Sequence, residues 1–162
     1  MEMQLWIILD LGIAAILAGV VGLERELGAK PAGLRTHMII GAVATLFVHM
    51  GQVAVREFLH ELPPGININT DPLRIFEAIV VGVSFIGAGT IIRTPDGKSV
   101  QYLTTAASLL LSAGIGMAVG CQLYLLAVGV ALLALVITRF IAHVEAALPS
   151  PPTTDKEGKQ VD

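Results

Sequence analysis

The stretch LTTAASLLLSAGIGMAVGCQLYLLAVGVALLALVITRFI, residues 103–141, decides the fold. From Leu103 to Thr138 it holds no charged side chain, and its only pause is Gly120-Cys121-Gln122. Each half is close to the roughly 20 residues that a 30 Å hydrocarbon layer requires of a helix. Two such halves, separated by a connection that allows only a tight reversal, predict an antiparallel pair of membrane-crossing helices over Leu103–Val119 and Leu123–Ile141.

The same texture extends outward. Apolar runs predict helix one over Leu5–Leu23 and helix two over Arg35–Val55, separated by Gly28-Ala29-Lys30-Pro31-Ala32-Gly33, whose glycines and proline stop one helix and reset the next. Asp71-Pro72 reads as an N-cap acid followed by proline at the first helical position, and predicts helix three from there to about Ile92, closed by a Thr94-Pro95-Asp96-Gly97 turn. The expected fold is therefore all-α: a polytopic bundle of five transmembrane helices. The first apolar run follows Met1-Glu2-Met3-Gln4 with no basic leader and no cleavage site, so it is expected to remain as a helix.

Composition agrees. Of 162 residues, 54% are hydrophobic and 14% charged, against roughly 25% charged in soluble domains. A net charge of −3 without a basic stripe excludes nucleic acid as a partner. The single cysteine, Cys121, excludes an intrachain disulfide and a cysteine-based metal cluster. Residues 1–145 are expected to form the membrane domain and 146–162, rich in proline and charge, a disordered tail.

Orientation follows from the basic residues. Arg25, Lys30, Arg35, Arg93, Lys98, Arg139, Lys156 and Lys159, eight of the ten, fall on one side, and Arg56 and Arg74 on the other. The positive-inside rule then places the N-terminus outside and the C-terminus in the cytoplasm.

Ionisable side chains within spans are costly and need companions. Asp10, His49 and Glu77 lie about 8–9 Å below the outer ends of their helices at 1.5 Å per residue, and are expected to form an outer-leaflet cluster. Asp71, Arg74 and Glu77 follow one another at three-residue spacing on one helix face and can pair locally. Two carboxylates with a histidine could hold a divalent cation or relay protons; a neutralised cluster fixing helix register is the other reading. A second polar layer gathers at the inner face: Glu24 and Arg25, Arg35 and Thr36, Arg93, then Thr104, Thr105 and Ser108. Its mixture of acids and arginines exceeds what simple interfacial anchoring requires.

Small residues recur four apart at Ala15/Gly19, Ala18/Gly22, Ser84/Ala88 and Gly116/Gly120, the spacing of close helix packing in lipid. Gly82, Gly87 and Gly89 sit within helix three, where a phosphate-cradling loop lacks the strand it needs. They mark a helix that is either locally loosened or closely packed.

Five segments in order carry a family pattern: Gly22-Leu23-Glu24-Arg25, Gly33-Leu34-Arg35-Thr36-His37, Asp71-Pro72-Leu73-Arg74, Phe85-Ile86-Gly87-Ala88-Gly89 and Leu103-Thr104-Thr105-Ala106-Ala107. Together they resemble the MgtC/SapB membrane domain over about Leu5–Ala142. The resemblance implies a bacterial inner-membrane protein linked to growth in low magnesium, to survival in phagocytes and to modulation of the proton-translocating ATP synthase. It carries Glu24, Arg25, Arg35, Thr36, Asp71, Arg74 and Thr104 forward as functional polar positions, with Glu77 beside them. Leu109-Leu110-Leu111 stands where many members have tryptophan, and the short tail resembles the SapB-like branch, which lacks an appended soluble domain.

With no catalytic constellation in view, the expected role is a non-enzymatic regulator under magnesium shortage or acid stress, without a cofactor. Its partners would be the bilayer, another membrane protein such as the ATP synthase, and a second copy. The rival is an oligomeric transporter or channel component for Mg2+ or protons.

Overall fold

The computed structural model describes residues 1–60, 71, 73–93 and 99–147, of which 140–147 are described for their backbone alone. Five helices dominate: α1 Glu2–Leu27, α2 Leu34–His60, α3 Leu73–Thr90, α4 Leu103–Gly120 and α5 Tyr124–Ala147. The first four are long and apolar enough to cross a bilayer, and α5 carries an apolar run over Tyr124–Arg139. In hydrocarbon a backbone amide has no water to bond, so helices are the form in which these runs satisfy themselves.

α1 and α2 extend past the apolar runs that announce them, because helical hydrogen bonding continues into the interface where hydropathy falls. The opposite holds for α3. It ends at Thr90, and Ile92–Arg93 instead pairs antiparallel with Val100–Gln101 in a two-stranded ribbon, β1 and β2. Ile92 and Arg93, expected at the end of helix three, are therefore strand residues. Asp71 acts as expected at the other end: its Oδ1 accepts from the Leu73 amide at 3.0 Å. Pro72, the Thr94-Pro95-Asp96-Gly97 turn and the tail from residue 148 lie outside the described residues.

α4 is the centre of the bundle. One side of it joins α1 and α5 around Ala14, Val21, Ile115, Val119 and Ala127; another joins α2 and α3 around Ala44, Val48, Ile79, Leu109 and Ala113. Most of the packed residues are small, and glycines set how near the helices come. A Cβ added at Gly116 would run into the Gly41 carbonyl oxygen of α2, and at Gly22 it would stand 2.7 Å from the His37 Cβ and 2.9 Å from the Gly33 oxygen. Such approach gives helices in lipid the packing that hydrophobicity cannot supply there.

The three glycines of α3 divide. Gly87 packs against α4, where an added Cβ would stand 3.4 Å from the Ala106 Cβ, whereas Gly82 and Gly89 face open space. α3 thus docks on one face and leaves its other face to the surroundings.

Candidate functional site

Two buried polar layers lie between α1, α2 and α4, one near each end. In the layer beside the start of α1, called outer after the orientation expected from the basic residues, α1 supplies Asp10, 3% exposed, and α2 supplies His49, 8% exposed. His49 Nε2 donates to Asp10 Oδ2 at 2.9 Å. Tyr124, at the first turn of α5, donates its hydroxyl to Asp10 Oδ1 at 2.9 Å. One carboxylate thereby ties three helices together, with both oxygens engaged, as a buried charge requires. Next to it Gln52 donates to the Gly120 carbonyl at 3.2 Å and covers the C-terminal end of α4.

Asp10 and His49 are brought together, but Glu77 is not among their partners and is exposed. The reason lies in direction around α2. α3 meets α2 at Gly51, against Ile75, and residues two apart on a helix point about 200° apart. The face of α2 that carries His49 to Asp10 therefore turns away from α3. Equal depth placed three groups at one height and said nothing about azimuth.

A notch with a volume of ≈ 200 Å³ leads to this layer. Trp6, Arg56 and Gln122 stand at its exposed rim, and Asp10 and His49 at its base. Among the described residues no three His, Cys, Asp or Glu side chains converge on a cation position.

The inner layer is built around residues that Gly22 and Gly33 allow close together. Arg25, 5% exposed, donates from Nη2 to Thr105 Oγ1 at 3.1 Å. His37, fully buried, lies 2.8 Å from the Gly33 carbonyl through Nδ1 and 3.1 Å from Ser108 Oγ through Nε2. Since a carbonyl only accepts, Nδ1 carries a proton. Ser108 also donates to the Thr105 carbonyl at 2.8 Å, and its single proton can serve either that oxygen or the His37 ring at one time. Glu24 Oε2 and Arg25 Nε are buried here without a protein partner among the described residues. Between the layers Thr45 donates to the Gly41 and Gly116 carbonyls and Ser112 to the Ser108 carbonyl.

The other sequence candidates stand outside this core. Arg35 and Thr104 are exposed and Thr36 is half-buried, all at the inner helix ends; Asp71 and Arg74 are exposed at the start of α3. The expected local pairing of Asp71, Arg74 and Glu77 is not seen: among the described residues the acid–base contact within 4 Å is the His49–Asp10 hydrogen bond. Tyr124 and Gln52 escaped the sequence reading, and His37 stood in it without a role. Glu26 also escaped it: its Oε2 accepts from the Leu34 amide at 2.8 Å and closes the start of α2. For Tyr124 a signal existed, since a tyrosine opening a helix at the outer face sits at the depth of Asp10. Cys121, in the α4–α5 turn, packs its thiol against the α2/α4 core, and burial pushes its pKa up.

A family model described as the MgtC family matches residues 11–147. Among curated relatives, "Putative magnesium transporter YhiD" of Escherichia coli strain K12 is 39% identical over 72% of this chain and 52% of its own length. "Protein SapB" of Bacillus subtilis strain 168 is 38% identical over 85% of this chain and 57% of its own. "Protein MgtC" of Salmonella typhimurium strain LT2 is 35% identical over 70% and 42%. The chain thus spans about half the length of the curated relatives it matches. No solved structure matches it.

Proposed function

The chain belongs to the MgtC family and is a multi-pass protein of the bacterial inner membrane; from that premise we propose that it is a non-enzymatic regulator linked to magnesium homeostasis, acting by helix–helix contact with another membrane protein. The observation that carries this reading is the inward closure of its polar groups. Asp10, His49, Tyr124, Arg25, Thr105, His37, Thr45 and Ser112 bond to one another or to backbone carbonyls between tightly packed helices. An ion path needs polar groups that face water and exchange partners. Here they fix helix register, which suits a rigid body that presents outer faces to a partner. The accessible inner-face positions Arg35, Thr36 and Thr104 would meet that partner at the cytoplasmic side, with Glu24 and Arg25 packed behind them, the N-terminus outside and the C-terminus inside. The ATP synthase is the first candidate from the family resemblance.

A transporter for Mg2+ or protons is the second reading. The notch that reaches Asp10 and His49 from the outer rim favours it, as does the name of the Escherichia coli relative.

Purified protein in liposomes loaded with magnesium- and pH-sensitive dyes separates the two. Regulation predicts flux no greater than in empty vesicles, together with a membrane protein that co-purifies from native membranes and is lost on Arg35→Ala. Flux that disappears on Asp10→Asn would overturn the regulator and install the transporter.

A further inference from the structure

We propose that α3 is a seam along which two copies of this chain associate side by side in the membrane. α3 turns Ile79 and Gly87 inward onto α2 and α4. A second face, centred about 130° around the helix from them, carries Arg74, Glu77, Val81, Ser84 and Ala88, all exposed. They are spaced three, four, three and four residues apart, the alternation that keeps one row of side chains against a neighbouring helix over several turns. The row runs for about 21 Å at 1.5 Å per residue. Phe85, 82% exposed, flanks it.

Contact with lipid alone would need no charge on this row, yet it opens with an arginine and a glutamate. Neither has an ion-pair partner among the described residues, and an unpaired charge at the edge of hydrocarbon is costly. Their arrangement identifies the occupant. A two-fold axis along the membrane normal sets the same face of each copy against the other, so that residue i meets j and j meets i. Arg74 and Glu77 differ by about 4.5 Å in height, within an arginine's reach. Each Arg74 can then pair with Glu77 of the other copy, and four charges cancel in one closed set. A foreign helix would have to bring a matching acid and base at the same depth; a second copy carries them already.

Space for the approach is present below the charges. Ser84 and Ala88 are small and exposed. Close backbone contact between spans uses such positions. The seam does not depend on the regulatory reading, since it requires only that α3 cross the bilayer.

The test is oxidative cross-linking of the full chain in native membranes at low expression, in a Cys121→Ser background. Val81→Cys and Ala88→Cys should give disulfide-linked dimers, whereas Leu125→Cys, on the lipid-facing side of α5, should give few. Adding Arg74→Glu or Glu77→Arg to Val81→Cys should lower the dimer fraction about fivefold, the scale of interhelical polar contacts in membranes. The two reversals together should restore it, which a mere folding defect would not do. Equal cross-linking at Leu125→Cys, a yield indifferent to single reversal, or capture of Val81→Cys in an adduct with a different protein would each overturn the proposal.

Discussion

Replacing Asp10 by alanine should destabilise the folded bundle by about 3 kcal/mol, at the low end of what breaking a buried pair costs because the membrane-embedded unfolded chain finds some partners of its own. Asp10 accepts from His49 and from Tyr124, so its loss leaves two buried donors on two other helices unpaired. Tyr124→Phe removes a single hydrogen bond and should cost about 1 kcal/mol. The informative variant is the double one: Asp10→Ala with His49→Leu should be less harmful than the sum of its parts, because removing both partners leaves less unpaired. Reversible denaturation in mixed micelles measures all four. Strict additivity, or an Asp10→Ala chain as stable as the original, would show that the outer layer does not hold the helices together.

A second large effect is expected where two backbones nearly touch. At Gly116 any Cβ collides with the Gly41 carbonyl oxygen and comes within 2.9 Å of the Ala44 Cβ. A backbone atom cannot swing aside, so α2 and α4 must separate. Gly116→Val should cost about 3 kcal/mol, the upper range of overpacking, and should also disturb the Thr45 bond to the Gly116 carbonyl, 2.8 Å in the native chain. Gly114 lies two residues earlier on the same helix with nothing within 4 Å. Gly114→Ala should be neutral or stabilising by up to about 1 kcal/mol, the helix-propensity gain over glycine. Equal tolerance at both positions in the same denaturation assay would mean that α2 and α4 do not meet there.

These two cases also mark what the amino-acid sequence could disclose. Long uncharged runs declare their own helices, so the spans of α1 to α4 and the hairpin of α4 with α5 were legible from hydropathy and from Gly120-Cys121-Gln122. Helix ends were less so: α1 and α2 continue into the interface, where no apolar signal marks the boundary. The ribbon of Ile92–Arg93 with Val100–Gln101 was invisible, since two residues are too few to display an alternating pattern.

For the candidate site, rise per residue gives height and nothing more. Height put Asp10 and His49 in one layer, and the structure brings them into contact. It put Glu77 there too, although the face of α2 that receives α3 is turned away from His49. The inner layer shows the same limit in another form. Arg25, Thr105 and Ser108 could be gathered at one membrane surface from loop connections, but the role of His37 depends on how closely Gly22 lets α1 approach α2. That distance is a property of packing between segments, which no single segment encodes.

If the interior between α2 and α4 is closed to water, Ser112, fully buried midway along α4, is the residue that shows it. In a Cys121→Ser background, Ser112→Cys changes little volume and reports on access through its thiol. The closed bundle predicts no labelling by a small charged thiol reagent from either side of the membrane, under conditions that fully label Gln122→Cys on the exposed α4–α5 turn. Labelling of Ser112→Cys at a rate comparable to that exposed control would contradict it, and would reveal an aqueous route through the centre of the protein.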